Sequence, residues 1–170
     1  MDQYFIEEWD ETHPRWLTSV DLIQGEGQAR WALDDECRKP NSHVLIALQS
    51  GDVVGFLTFT VQPISRSEGC PVLCEKGVPL MEGYIQTFGV REDRRGHGIG
   101  TALQEAALHR VRELGCYQLR SWSDVSHPEN YAMKLKLGFA AHPATYHSER
   151  TGEDYEGMYW VKCVRDTSYR

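Results

Sequence analysis

The stretch from Glu82 to Gly100 decides the fold of this sequence, and it reads EGYIQTFGVREDRRGHGIG. Its first half, up to Val90, is rich in β-branched and aromatic residues and predicts a strand. Beyond it the apolar residues change to helical spacing and share one face. They are Ile99, Leu103, Ala107, Val111 and Leu114. The order is therefore strand, glycine-rich turn and helix, and Gly115 is well placed to end the helix.

The turn between this strand and this helix has the composition of an anion-binding loop. The first N–H groups of a helix have no partner within the helix, and the helix dipole adds partial positive charge there. Gly96, Gly98 and Gly100 lack a Cβ atom, which lets a phosphate approach those groups. Arg94 and Arg95 add two cations beside the same helix end. An ordinary tight turn with solvated arginines is the alternative that glycine spacing alone leaves open.

The spacing of the loop separates the classes of phosphate ligand. A P-loop needs a Lys-Ser/Thr pair after its last glycine, whereas Gly100 is followed by Thr101 and Ala102. The dinucleotide fingerprint needs a glycine where this chain has Thr101 or Leu103. Both nucleotide-binding interpretations are therefore disfavoured.

Arg95-x-x-Gly98-x-Gly100 closely resembles the acetyl-CoA pyrophosphate loop of the GNAT-type N-acetyltransferases. The run from Lys136 to Phe139, Lys-Leu-Gly-Phe, resembles the end of the second cofactor helix of that family. The resemblance covers roughly residues 43 to 140, and the ends match only in the order of their elements. It implies the acyl-CoA N-acyltransferase fold, with acetyl-CoA as co-substrate.

The remaining patterns predict an α/β domain with a mixed, mainly antiparallel sheet of about seven strands and helices on both faces. Two apolar runs, 43–48 and 53–61, flank a turn and predict a hairpin. The 170 residues are expected to form a single acetyltransferase domain, 1–170. The acyl donor is expected to enter where the strand at Val90 parts from its neighbour near Leu119.

The resemblance also implies roles for particular residues. Its cofactor contacts are Phe88, Val90, Arg95, Gly96, His97, Gly98, Ile99, Gly100, Thr101 and Asn130. Glu82, the only carboxylate of its strand, is the candidate base for the attacking amine, and a solvated residue at the strand start is the alternative. A period of two places Glu82, Tyr84, Gln86, Phe88 and Val90 on one face.

One catalytic position departs from the family pattern. The tyrosine that usually protonates the departing CoA thiolate lies four residues before the glycine of the second helix, where this chain has Lys134. Tyr131 offers a hydroxyl within helical reach and is the candidate acid. A thiol pKa of about 8.5 makes a tolerable leaving group without a dedicated donor. The identity of the general acid therefore stays open.

Composition narrows the partners. A formal charge of −7 argues against nucleic acid and mildly favours cationic acceptors such as amines. Five scattered cysteines give no disulfide framework, and Cys70 with Cys74 is weak evidence for a metal, so no metal is expected. No apolar run reaches membrane-span length, and the start of the chain lacks signal-peptide regions, so a cytoplasmic protein is expected.

The sequence thus predicts direct acetyl transfer from acetyl-CoA to a primary amine of a small molecule or peptide. A catalytically silent CoA-binding sensor is the alternative, since the usual tyrosine is absent. Two aromatic residues before the hairpin, Trp16 and Trp31, are candidates for an acceptor pocket, with a place in the core as the alternative. The identity of the amine, an acyl group other than acetyl, and the oligomeric state, including a possible homodimer, are not determined by the sequence.

Overall fold

The computed structural model of the chain describes residues 4–33, 41–65, 71–148 and 151–165. The strands of its main sheet are β1 (Tyr4–Trp9), β2 (Ser42–Gln49), β3 (Asp52–Pro63), β6 (Met81–Val90), β7 (Gln118–Asp124), β8 (Ala140–His147) and β9 (Asp154–Cys163). Two short strands, β4 (Cys74–Glu75) and β5 (Val78–Pro79), form a separate ribbon. The helices are α1 (Trp16–Gly25), α2 (Ala29–Ala32), α3 (Ile99–Glu113) and α4 (Pro128–Lys136), with a 3-10 turn at Glu92–Arg94.

The seven strands of the main sheet lie in the order β1-β2-β3-β6-β7-β9-β8. Only β6 and β7 run parallel, and α3 makes the crossover that a parallel pair requires. All other neighbours in this sheet are antiparallel. The prediction of a mixed, mainly antiparallel sheet of about seven strands flanked by helices is confirmed.

The two faces of the sheet carry separate cores. Leu57, with its neighbours, packs against α3 on one face, while Phe56 belongs to the cluster beneath α1 and α2 on the other. The predicted apolar face of α3 is buried except at Leu114, which follows the helix and is 37% exposed. Gly115 does end this helix region, with φ of +74°. Gly83 is needed where β6 meets α3, because a Cβ there would lie 2.3 Å from Val111.

The side chains of β6 do not keep one alternation along the strand. The register against β3 shifts between Ile85 and Thr87, so Gln86 is an extra residue, a β-bulge. Phe88 therefore packs with Ile85 on the α3 face, whereas Thr87 hydrogen-bonds Gln28 on the α2 side. The prediction that Phe88 and Val90 share a face with Glu82 is wrong, because a bulge offsets the period of two by one residue.

Several features of the sequence lie partly outside the described residues. Cys37 and Cys70 lie outside the described residues, and with Cys70 so does the predicted pair of Cys70 and Cys74. Cys74 itself lies in β4 and is exposed. Within the described ranges, no helix combines the length and apolar character needed to cross a membrane.

Candidate active site

The sheet opens at the centre, where β6 and β7 part. Their parallel pairing begins at Glu82 with Gln118 and ends at Ile85 with Ser121. Both strands continue beyond this point, β6 to Val90 and β7 to Asp124, without pairing to each other. The sequence predicted that the strands part near Leu119 on β7. The last paired residue of β7 is Ser121, two residues further along. The backbone of β6 beyond the bulge is therefore available on its β7 side.

A cleft of about 1270 Å³ fills this opening. Its lining extends from the glycine loop and the first turn of α3, across β6 and β7, to the neighbouring ends of β8 and β9. One end of the cleft is formed by the loop with Arg94 and Arg95, and aromatic residues of the sheet line the other. A single continuous space thus joins the glycine-loop end to an aromatic end.

The loop presents the start of α3 to this cleft. Gly98 is the N-cap residue in the left-handed conformation, with φ of +84°, and no side chain of the described residues caps the helix. Gly96 is also left-handed, with φ of +79°, and the first turn of α3 contains no acidic residue. The free N–H groups and positive end of the 15-residue helix therefore face the cleft without a competing carboxylate in that turn.

Arg95 is held beside the loop rather than over it. Its Nε donates to the carbonyl of Val90 at 2.9 Å, and its Nη2 donates to Glu26 Oε2 at 2.5 Å. Glu26 follows α1, so this ion pair joins α1 to the glycine loop at the edge of the cleft. The guanidinium remains more than half exposed and adds positive charge to that end of the cleft.

Most of the predicted cofactor contacts lie together. Phe88 and Val90 approach Gly100 closely, since a Cβ on Gly100 would lie 3.7 Å and 3.8 Å from them. The predicted residues that line the cleft are Phe88, Val90, Arg95, Gly96, Gly98, Ile99, Gly100, Thr101 and Asn130. His97 is not among the described residues that line the cleft, and its Nδ1 lies 2.8 Å from the carbonyl oxygen of Arg95.

The carboxylate of Glu82 lies in the sheet and is 0% exposed. Arg120 donates to both oxygens, with Nη2 2.8 Å from Oε1 and Nε 3.1 Å from Oε2. Gln62 and Gln118 donate to the same carboxylate at 3.1 Å and 2.8 Å. The lining described for the cleft does not include Glu82. Both carboxylate oxygens are therefore occupied by hydrogen-bond donors of the sheet, which leaves little room for an amine to approach them.

Tyr131 also has its polar atom engaged. Its hydroxyl donates to the carbonyl of Asp124 at 2.9 Å, and its ring packs on Trp160. Burial raises the pKa of Tyr131 above its ordinary value, so the hydroxyl keeps its proton at neutral pH. The lining described for the cleft does not include Tyr131. Its use as an acid would need the side chain to move.

Lys134, in the position where the family pattern has tyrosine, is buried between α3, α4 and β7. Its Nζ donates to Gln104 Oε1 at 2.9 Å and to Ser121 Oγ at 2.8 Å, and lies 4.4 Å from the ring centre of Phe139. Burial lowers the pKa of Lys134 to about 7. Because Ser121 is the last residue of β7 paired to β6, this amine braces the point where the strands part.

Several residues of the cleft were not singled out by sequence reasoning. Trp122 and Tyr146, whose ring centres are 5.4 Å apart, line the aromatic end together with Tyr84. The sequence left two positions open for Trp31, the acceptor pocket and the core. Its side chain is 41% exposed and lines the same cleft. Strand alternation marks Trp122 as sharing a face with Arg120, but no sequence pattern indicates which sheet face stays uncovered by helices.

The arrangement of sheet and helices has counterparts among solved structures. Arabidopsis thaliana NAA60 in complex with acetyl-CoA superposes with a TM-score of 0.72 at 13% identity, covering 95% of this chain and 99% of that one. A ribosomal-protein-alanine N-acetyltransferase from Brucella melitensis gives 0.63 at 17% identity, covering 94% and 99%. The fold is thus that of acyl-CoA N-acyltransferases.

The family follows from the sequence comparison. Residues 3–139 match the model of the acetyltransferase (GNAT) family, and the chain belongs to that family. The family predicted from the glycine loop is therefore confirmed. A mycothiol acetyltransferase from Parafrankia sp. (strain EAN1pec) is 26% identical over 125 residues. That match covers 69% of this chain but only 39% of the relative, so the chain spans well under half of its length.

Proposed function

We propose that this protein is an N-acetyltransferase that moves an acetyl group from acetyl-CoA directly to a primary amine of a small molecule or peptide. The observation that carries the proposal is the continuous cleft, which joins the glycine loop at the start of α3 to the opening between β6 and β7. Membership of the acetyltransferase family supports the same reaction class.

The residues at the loop end suit a pyrophosphate. The uncapped start of α3 supplies backbone donors, and Gly96 and Gly98 keep the approach free of side chains. Arg95 supplies charge at the edge, although it shares that charge with Glu26. The unpaired stretch of β6 near Phe88 and Val90 offers backbone groups to an extended amide chain such as pantetheine.

The reaction proposed here is a direct transfer. The amine nitrogen forms a bond to the acetyl carbonyl carbon, the carbon–sulfur bond breaks, and the thiol leaves as free CoA. The ammonium form of the amine gives one proton to a base or to water before attack. The second proton, which the nitrogen loses as the amide forms, passes directly or through water to the departing thiolate and gives the free thiol. Most of the rate enhancement is expected from holding amine and thioester together in one cleft. No acetyl-enzyme is expected on this route.

The two residues predicted to transfer protons already have their polar atoms hydrogen-bonded. Glu82 as base and Tyr131 as acid stay predictions, and the hydrogen bonds of both residues argue for positioning roles instead. An aliphatic ammonium has a pKa of about 10, so a proton must leave before attack. A water molecule at the opening of the strands is the simplest acceptor that the geometry allows. The departing thiolate needs no dedicated donor.

Thiol release from acetyl-CoA tests this function. We expect release that depends on the added amine, across a panel of arylalkylamines, polyamines, aminoglycosides, amino acids and peptides, with one N-acetylated product formed for each thiol. Tight CoA binding without amine-dependent release on any acceptor would contradict catalysis and favour the CoA-binding sensor. Calorimetry with ATP and NAD beside CoA separates both outcomes from a nucleotide-binding protein.

A further inference from the structure

The end of the cleft away from the glycine loop is built from aromatic side chains on neighbouring strands. Tyr84 on β6, Trp122 on β7, Tyr146 on β8 and Tyr155 on β9 all line it, and we name these four residues the aromatic wall. Tyr146 and Tyr155 are direct partners in the β8–β9 register. The wall is therefore a property of the sheet and not of a single loop.

The position of Trp122 depends on a glycine of the next strand. Gly157 on β9 lies opposite Asp124 in the register and is buried. A Cβ on Gly157 would lie 2.3 Å from the carbonyl oxygen of Ser123 and 2.7 Å from the Trp122 ring. Any larger residue would push the indole aside. The missing side chain thus gives the indole its place in the wall.

A buried arginine also contacts the aromatic wall. The guanidinium of Arg120 lies 4.7 Å from the ring centre of Tyr84 and 4.9 Å from that of Tyr159. The ion pair between this guanidinium and Glu82 holds Arg120 between the two rings, so the cluster adds rigidity to the wall. Burial raises the pKa of Tyr84 far above its ordinary range, so the ring facing the cleft carries a neutral phenol.

No helix is centred over this part of the sheet in the described residues. On this face, α1 packs mainly on β3 and α2 on β6, and among the described residues no helix covers the surface of β7, β9 and β8 that faces the cleft. The side chains of Tyr84, Trp122 and Tyr146 are half-buried, and Tyr155 is 36% exposed. Flat apolar surface that stays open beside a reaction cleft is suited to a flat apolar partner.

The carboxylates among the described residues that line the cleft do not suit a polycation. Those in its described lining are Glu26, Asp124 and Glu129, and Glu26 is already paired with Arg95. Glu129 is largely exposed and lies 3.4 Å from His127. Asp124 alone shares the face of Trp122 on β7, where the backbone N–H of Ser126 donates to it at 2.9 Å. One carboxylate near an aromatic surface matches one ammonium group, not several.

We propose that the acceptor is a monoamine carrying an aromatic or similarly flat apolar group, which stacks on the aromatic wall while its amine reaches the opening between β6 and β7. This inference rests on the proposed acetyl transfer and specifies its acceptor. The same chemistry is met by an arylalkylamine or by a peptide whose first residue is aromatic, and the assay below contains both.

Matched acceptors test the proposal. Thiol release is measured with 2-phenylethylamine and phenylalanine amide against n-butylamine, alanine amide and spermidine. We expect kcat/KM to be about tenfold higher for 2-phenylethylamine than for n-butylamine, and for phenylalanine amide than for alanine amide. The aliphatic amines lack the ring–ring contact and the area that it buries. Equal values, or a preference for spermidine, would overturn the aromatic acceptor while acetyl transfer itself would stand. Acetyl-CoA binding with no amine acetylated would overturn the proposed function instead.

Variants at the wall connect this preference to the structure. Trp122→Leu is expected to raise KM for 2-phenylethylamine about tenfold, so that the preference of the folded enzyme for this amine over n-butylamine falls by about the same factor. Trp122→Phe keeps a ring and should retain most of the preference. Phe5→Leu removes an aromatic residue that is 57% exposed on β1 and serves as the control outside the cleft. An unchanged preference in folded Trp122→Leu, with CoA affinity intact, would overturn the role of the wall.

Discussion

The carboxylate of Glu82 receives hydrogen bonds from three residues, and this limits its chemistry. Arg120, Gln62 and Gln118 fill the positions from which an amine or a water would approach. A general base must lie within hydrogen-bond reach of the proton it removes. We therefore expect Glu82 to hold Arg120 between the two tyrosine rings and not to take the proton of the substrate.

Glu82→Gln distinguishes the two roles. The substitution removes a carboxylate that is paired with the buried Arg120 guanidinium, so the free energy of unfolding should fall by about 3 kcal/mol in urea denaturation. The pH profile of kcat/KM in the folded variant should keep its shape. Glu105→Gln, which changes an exposed carboxylate on α3, is the control and should alter stability by no more than about 0.5 kcal/mol. Loss of the acidic limb with stability intact would instead identify Glu82 as the base.

The predictability of single residues follows the range of their interactions. Gly98 and Gly115 were found because a positive φ and a helix end depend on local sequence. The environment of Glu82 was not, because its partner Arg120 lies 38 residues away, across the crossover. The burial of Lys134 was not predictable either, because the oxygens that accept hydrogen bonds from its amine lie on other elements, α3 and β7.

At the scale of elements, the loop between β6 and α3 gives the sharpest expectation. Gly98→Glu places a side chain and a negative charge where the cleft needs backbone donors, and it does so at a φ of +84°. We expect affinity for CoA in calorimetry to fall about 100-fold or more, because hydrogen bonds to charged phosphate groups are lost.

Backbone strain alone must be separated from that effect. Gly51→Glu is a matched control, since Gly51 has a φ of +85° in the β2–β3 turn and a Cβ there meets nothing within 4 Å. It should cost comparable stability and leave CoA affinity unchanged. Unaltered CoA binding in folded Gly98→Glu would rule out the loop as the pyrophosphate site.

Element types were predictable where their periodicity was sustained. The hairpin of β2 and β3 and the face of α3 follow from simple apolar spacing. The β-bulge at Gln86 was missed, because a bulge arises from the pairing of β6 with β3 and leaves no fixed signature in one strand. This single residue reversed the predicted facing of Phe88, although Phe88 still lines the cleft.

At the scale of the whole molecule, the sheet order and the parting of β6 from β7 create the site. The order of elements and the family were accessible from sequence, since the glycine loop and the end of α4 carry local patterns. The aromatic wall was not, because it depends on which face of β7, β9 and β8 the helices leave open. Acceptor choice is thus a property of tertiary structure.

The central claim is that one cleft holds acetyl-CoA and the amine together, and that the acetyl group passes directly between them. Initial rates measured while both substrates are varied, with 2-phenylethylamine or whichever amine the panel identifies, test this claim most directly. Double-reciprocal lines that intersect are predicted, because both substrates must be bound before the carbon–sulfur bond breaks. Parallel lines, together with an acetylated protein after incubation with acetyl-CoA alone, would contradict it.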